Sequence, residues 1–204
     1  MQLDRERWTR LASEVGLPDA ARDAAFRELS ERYSESHRHY HNAQHICECL
    51  AEFDAVSRSC KNKTAVELAI WFHDAIYDPR APDNEERSAA LAASFLEGPL
   101  RQAVESLIMV TKHTASPTDP DAKLLVDIDL AILGKPGKRF WEYEQQIRAE
   151  YAWVPQEVFA AKRAVILESF LARPTIYSNA HFKNAYEVKA RGNLTQAIEK
   201  LRVR

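Results

Sequence analysis

His73 and Asp74 adjoin at the end of the run Ala65-Val66-Glu67-Leu68-Ala69-Ile70-Trp71-Phe72, which reads as a buried helix. An imidazole and a carboxylate side by side in apolar surroundings are costly to bury unless something occupies them. Neutral nitrogen and anionic oxygen both suit a divalent metal, and the cation offsets the buried charge. His41 and His45 are four residues apart, so a helix there would carry both on one face. His37 would extend that row if the helix begins early enough. Asp127 and Asp129 interrupt the apolar run Leu124-Leu125-Val126-Asp127-Ile128-Asp129-Leu130. An isolated ionised aspartate there would destabilise the fold by roughly several kcal/mol. A shared metal resolves these costs together.

The elements that position these groups read as helices throughout. Trp8, Leu11 and Val15 mark a first helix over 3–15, and Pro18 opens a second with Phe26, Leu29 and Tyr33 on its apolar face. The histidine-rich segment 37–45 feeds a helix carrying Ile46, Cys49, Leu50, Phe53 and Val56. Thr64-x-x-Glu67 reads as a capping box for the central helix, which is apolar nearly all round. Further helices are expected from Asp83 or Asn84 to Gly98-Pro99, over 100–112, 122–133, 140–151 and 155–172. A loop is expected over 113–121 and a stop at Gly134. Two short helices separated by Arg191-Gly192-Asn193 should close the chain. The expected class is all-α: one helical domain over 1–204, with a metal-site core about 37–135 and C-terminal helices 137–204 packed on it.

With 204 residues, 46% hydrophobic and 28% charged, the composition is that of an ordinary soluble globular protein. A formal net charge of -2 leaves no footprint for a nucleic-acid duplex or an anionic membrane. The charged N-terminus shows no secretory signal, and no apolar stretch is long enough to span a bilayer. Three cysteines, Cys47, Cys49 and Cys60, without C-x-x-C spacing argue for reduced thiols in a cytoplasmic protein.

The order His45, His73-Asp74, Asp129 resembles the HD-domain superfamily of metal-dependent phosphohydrolases. Tyr40-His41-Asn42-x-x-His45 looks like the corresponding segment of cyclic-nucleotide phosphodiesterases. Three further stretches are similar to a group of uncharacterised bacterial predicted HD phosphohydrolases: Trp71 to Asp78 with Asn84 to Ala89, Asp127 to Gly134, and Val188 to Leu194. The resemblance implies a compact multi-helix bundle that binds one or two divalent ions (Mn, Fe, Zn or Mg) through His45, His73, Asp74 and Asp129. It implies hydrolysis of a phosphomonoester or phosphodiester, a nucleotide being an expected substrate, by metal-activated water. His41 becomes the expected proton donor to the leaving group.

Asp129 aligns better than Asp127 with the final ligand; Asp127 could instead be a supporting partner or a surface residue. Glu85 is a candidate to assist at the metal, or a first-turn glutamate favouring the helix dipole. His113 could bind phosphate or a second metal, or simply end a helix. Lys112, Arg148 and Arg191 are candidate phosphate anchors, because guanidinium forks match phosphoryl oxygens. His37 and His39 read as solvated, and His181 as surface. Two other readings keep the helices: a di-iron oxygenase, with His113 and Glu85 the only obvious extra ligands, and a metal- or nucleotide-binding module without turnover. An exposed helical face would suit a homodimer.

Overall fold

The computed structural model describes residues 2–114 and 117–203. Residues 115 and 116, within the expected loop, and the two terminal residues lie outside the described set. The described residues form ten α-helices and no strand: α1 (Arg5–Glu14), α2 (Asp19–Arg32), α3 (Ala43–Val56), α4 (Lys63–Phe72), α5 (Asn84–Ala93), α6 (Gly98–Val110), α7 (Pro120–Asp129), α8 (Gly137–Glu150), α9 (Gln156–Leu171) and α10 (Ala180–Arg202). The all-α expectation is met. The chain divides into two compact units, Met1–Val126 and Asp127–Arg204.

In the first unit, α4 is the centre, and α3, α5 and α6 all pack on it. Every residue from Ala65 to Phe72 is buried, including Glu67. That follows from a sequence apolar on all sides, which has no face to give to water. Trp8 of α1 meets Trp71 and Phe72 edge-on, with ring centroids 5.4 and 5.9 Å apart. Its indole N–H donates to the Arg22 carbonyl at 2.9 Å, so this large ring is buried without an unmet donor. The Tyr33 hydroxyl donates to the Trp71 carbonyl at 2.9 Å, fastening the end of α2 to the last turn of α4.

The start of α4 departs from the expected capping box. Asn62 is the N-cap, its Oδ1 accepting from the Ala65 N–H at 3.0 Å. Glu67 turns away to pair with Arg7 at 2.7 Å. Asparagine caps as well as threonine, and Arg7 offers the buried Glu67 a charged partner, which a capping role would not.

The second unit holds α8, α9 and α10, with α10 lying on α9 and on the 3-10 segment Leu130–Gly134 that follows α7. The expected break at Arg191-Gly192-Asn193 does not occur; α10 runs unbroken for 23 residues. Asn193 donates to the carbonyls of Leu133 and Lys135 at 2.8 and 3.0 Å, and Arg191 donates to those of Leu171, Arg173 and Pro174. These bonds hold α10 through the very residues that suggested a turn. Gly134 is needed for a close approach: a Cβ there would lie 2.3 Å from the Cβ of Tyr186.

Candidate metal centre

His45 is in the first turn of α3, and His73 is the C-terminal cap of α4, its N–H donating to the Ala69 carbonyl at 2.8 Å. Asp74 begins the turn that follows. Three donor atoms from these residues meet. His45 Nε2 and His73 Nε2 are 3.1 Å apart, and Asp74 Oδ2 lies 3.3 Å from the first and 3.1 Å from the second. Both rings are 2% exposed.

The His73 tautomer follows from its other nitrogen. Nδ1 lies 3.0 Å from the Ile70 carbonyl. A carbonyl can only accept, so Nδ1 carries the hydrogen. In the neutral ring Nε2 therefore presents a lone pair to a second imidazole nitrogen and a carboxylate oxygen. Such a set is satisfied by a shared cation, or by a proton on one of the two Nε2 atoms. Two ligands each about 2.1 Å from one ion, at angles between octahedral and tetrahedral, stand about 3.0–3.4 Å apart. The observed separations fall in that interval, and nitrogen and oxygen donors suit a first-row divalent ion. Fixing a ligand histidine by a carbonyl on its far nitrogen is how metal sites orient their ligands.

Burial alone would raise the Asp74 carboxyl. When the rings are protonated, the charges of His73 and His41, with hydrogen bonds from His45 and His73, outweigh that and hold it well below the usual carboxylate range. It is present as an anion.

Within the first unit, Cys49 joins His45 and His73 as a further buried group of a type that could hold a metal. Comparison with known protein families, curated proteins and solved structures finds no match. The site is therefore read from its own chemistry.

Cys49 went unmarked in the sequence, although it stands one helical turn after His45, the spacing that places two side chains on one face. Its Sγ is 3.7 Å from His45 Nδ1 and 3.8 Å from Nε2. All three cysteines are free thiols. Burial, helped by the charge of Asp121, pushes the Cys60 thiol up to about 11.

His41 corrects one expectation. It precedes the Asn42 cap of α3, so it does not share a helical face with His45. A turn brings it near instead. Its ring stacks on Tyr77 with centroids 4.1 Å apart, and its centroid is 6.1 Å from that of His45. His37 and His39 are exposed, as expected, and His37 Nε2 donates to the Tyr77 carbonyl at 2.9 Å. The turn carrying Asp74 is pinned from α5 as well. Ser88 Oγ accepts from the Ile76 N–H at 3.0 Å, and Asn84 bonds both main-chain groups of Asp78 at 2.9 Å. This gives the Asn84 to Ala89 stretch a local purpose.

Asp127 and Asp129 separate cleanly. The Asp127 carboxylate accepts from the N–H groups of Ser178 and Asn179 at 2.5 to 2.9 Å, holding the start of α10. Burial pushes its carboxyl up to about 6 against the pull of those donors. Asp129 is the last residue of α7 and is not part of that clasp on α10.

The other candidates lie elsewhere or are engaged. Glu85 is in the first turn of α5 and, with Glu86 and Asp83, raises the Lys112 ammonium; Lys112 itself is paired with Glu86. His113 follows α6 in the left-handed region, at φ 54°, its N–H donating to the Val110 carbonyl. Arg148 donates to the carbonyls of Tyr151 and Val154 and to Gln156, and Arg191 to the carbonyls already described. His181 is exposed at the start of α10, as expected.

Proposed function

We propose that this chain is a metal-dependent phosphohydrolase of the HD-domain type, acting on a small phosphorylated substrate, with nucleotides the first class to test. The observation that carries the reading is the meeting of His45 Nε2, His73 Nε2 and Asp74 Oδ2 within 3.3 Å. These are the residues that the HD resemblance implies as ligands, and Asp129 is the proposed fourth.

A divalent ion held by these residues would lower the pKa of a bound water and would draw charge from a phosphoryl oxygen. The residues of the chain do the rest. The Ile70 carbonyl keeps the His73 lone pair turned inward. Asp74 stays anionic and balances the cation. His41, half-buried on the Tyr77 ring with its centroid 6.1 Å from that of His45, would pass a proton to the leaving oxygen.

The test uses the full chain with Mn, Fe, Zn or Mg, against phosphomonoesters, nucleotides and phosphodiesters. Phosphate or alcohol release should require the metal. Asp74→Ala should abolish it, and His41→Ala should slow it by about two to four orders of magnitude. Turnover that survives both substitutions overturns the mechanism.

Cys49 favours a second reading. A thiol added to two histidines and a carboxylate gives four protein donors, the number found in closed zinc sites. Zinc bound tightly with no release of product from any phosphoester would identify a binding module. A di-iron oxygenase needs further ligands; iron content with oxygen uptake would identify one.

A further inference from the structure

Arg38 lies between α2 and α3, in a segment of charged and polar residues, yet its side chain is 0% exposed. A buried guanidinium is tolerated only where its donors are met. Four of its five N–H groups are placed. Nε donates to Glu35 Oε2 at 2.9 Å. Nη1 donates to the carbonyls of His41 at 3.0 Å and Asp74 at 2.6 Å, and Nη2 to that of Ala75 at 2.8 Å. The rings of Tyr33 and Tyr77 stand 5.3 and 5.6 Å from the guanidinium carbon.

The three carbonyls belong to two separate stretches. His41 is in the turn that enters α3, and Asp74 and Ala75 are in the turn that leaves α4. None is inside a helix. One rigid planar group therefore sets the distance between the main chain of the expected proton donor and that of a proposed ligand. Tyr77 completes the arrangement, with one face on His41 and the guanidinium close by.

We infer that Arg38 is a positioning residue that fixes the His41 ring against the His73–Asp74 centre. This rests on the reading of that centre as a metal site. Lysine cannot replace it: an ammonium is a point charge and cannot reach both turns with a planar fork. Arg38 touches neither substrate nor metal in this role; it acts through His41 and Asp74.

The test compares the full chain with Arg38→Ala and Arg38→Lys, and needs no identified substrate. Mn2+ affinity is measured by calorimetry. The His41 ring signals are followed by NMR in histidine-labelled protein, assigned with His41→Gln. Circular dichroism selects the variant that keeps the helices, and Arg38→Lys serves if Arg38→Ala does not fold. In the folded variant, Mn2+ affinity should fall by about tenfold or more, and the His41 signals should move or broaden. Guanidinium added to Arg38→Ala should restore both; a loss of general stability would not be repaired in this way. Unchanged affinity together with unchanged His41 signals overturns the proposal. If the unsubstituted chain binds neither Mn2+ nor Zn2+, the metal-centre reading fails, and the His41 signals alone decide whether Arg38 holds that ring.

Discussion

Asp127 and Asp129 stand two residues apart, and their expected roles differ. Asp127 accepts main-chain N–H groups at the start of α10, while Asp129 is the carboxylate proposed as the fourth ligand. Removing a buried acceptor strands its donors at a cost of about 1–3 kcal/mol for such a group. Asp127→Ala should therefore lower stability by about that amount in urea unfolding, with divalent-metal affinity retained. Asp127→Asn, which keeps an acceptor, should lose less. Asp129→Ala should show the opposite pattern, with metal affinity falling and the unfolding midpoint in chelator little changed. If Asp127→Asn loses metal and Asp129→Ala does not, the two roles are reversed. The same scale shows what was legible. His73 and Asp74 announced themselves as polar residues at the end of an apolar run, and His45 by its four-residue spacing from His41. Arg38 did not, because an arginine beside Glu35, Ser36 and His37 is ordinary locally. Its partners are carbonyls, two of them more than 30 residues away, and a main-chain acceptor leaves no mark in the sequence.

Among the helices, α4 was legible because eight consecutive buried residues need no particular face, so no error of phase could hide it. In contrast, α10 was misread because Gly192 looked like a stop. Glycine inside a helix costs only about 1 kcal/mol relative to alanine. The buried Ala190, Leu194, Ala197 and Ile198 on either side of it offset more than that. Gly192 and Gly134 then make opposite predictions. A Cβ at Gly192 meets nothing within 4 Å, so Gly192→Ala should stabilise by about 0.5–1 kcal/mol. A Cβ at Gly134 would collide with the Tyr186 Cα and Cβ, at 2.9 and 2.3 Å. Backbone must move to admit it, so Gly134→Ala should cost about 1–3 kcal/mol. Thermal midpoints of the two variants should shift in opposite directions; a parallel shift would contradict the packing described for α10.

For the molecule as a whole, the question is how the centre bears on folding. The core of the first unit closes around α4, and the chain leaves that helix at His73, where the nitrogen and oxygen atoms meet across about 3 Å. An unfolded chain does not bring His45 and His73, 28 residues apart in sequence, to that separation. A cation bound at the site therefore favours the folded state. Its contribution grows as the logarithm of free metal over the dissociation constant, reaching about 2.7 kcal/mol at a hundredfold excess. Divalent metal should raise the thermal midpoint, EDTA should reverse the gain, and the rise should continue with concentration rather than level off at one equivalent. His73→Ala should erase the metal dependence, because it removes the ligand that the Ile70 carbonyl orients. If its midpoint in EDTA equals or exceeds that of the unsubstituted chain, the metal-free cluster is itself a burden on the fold. A midpoint of the unsubstituted chain that ignores Mn2+, Zn2+ and Fe2+ alike would remove the metal from the account of this site.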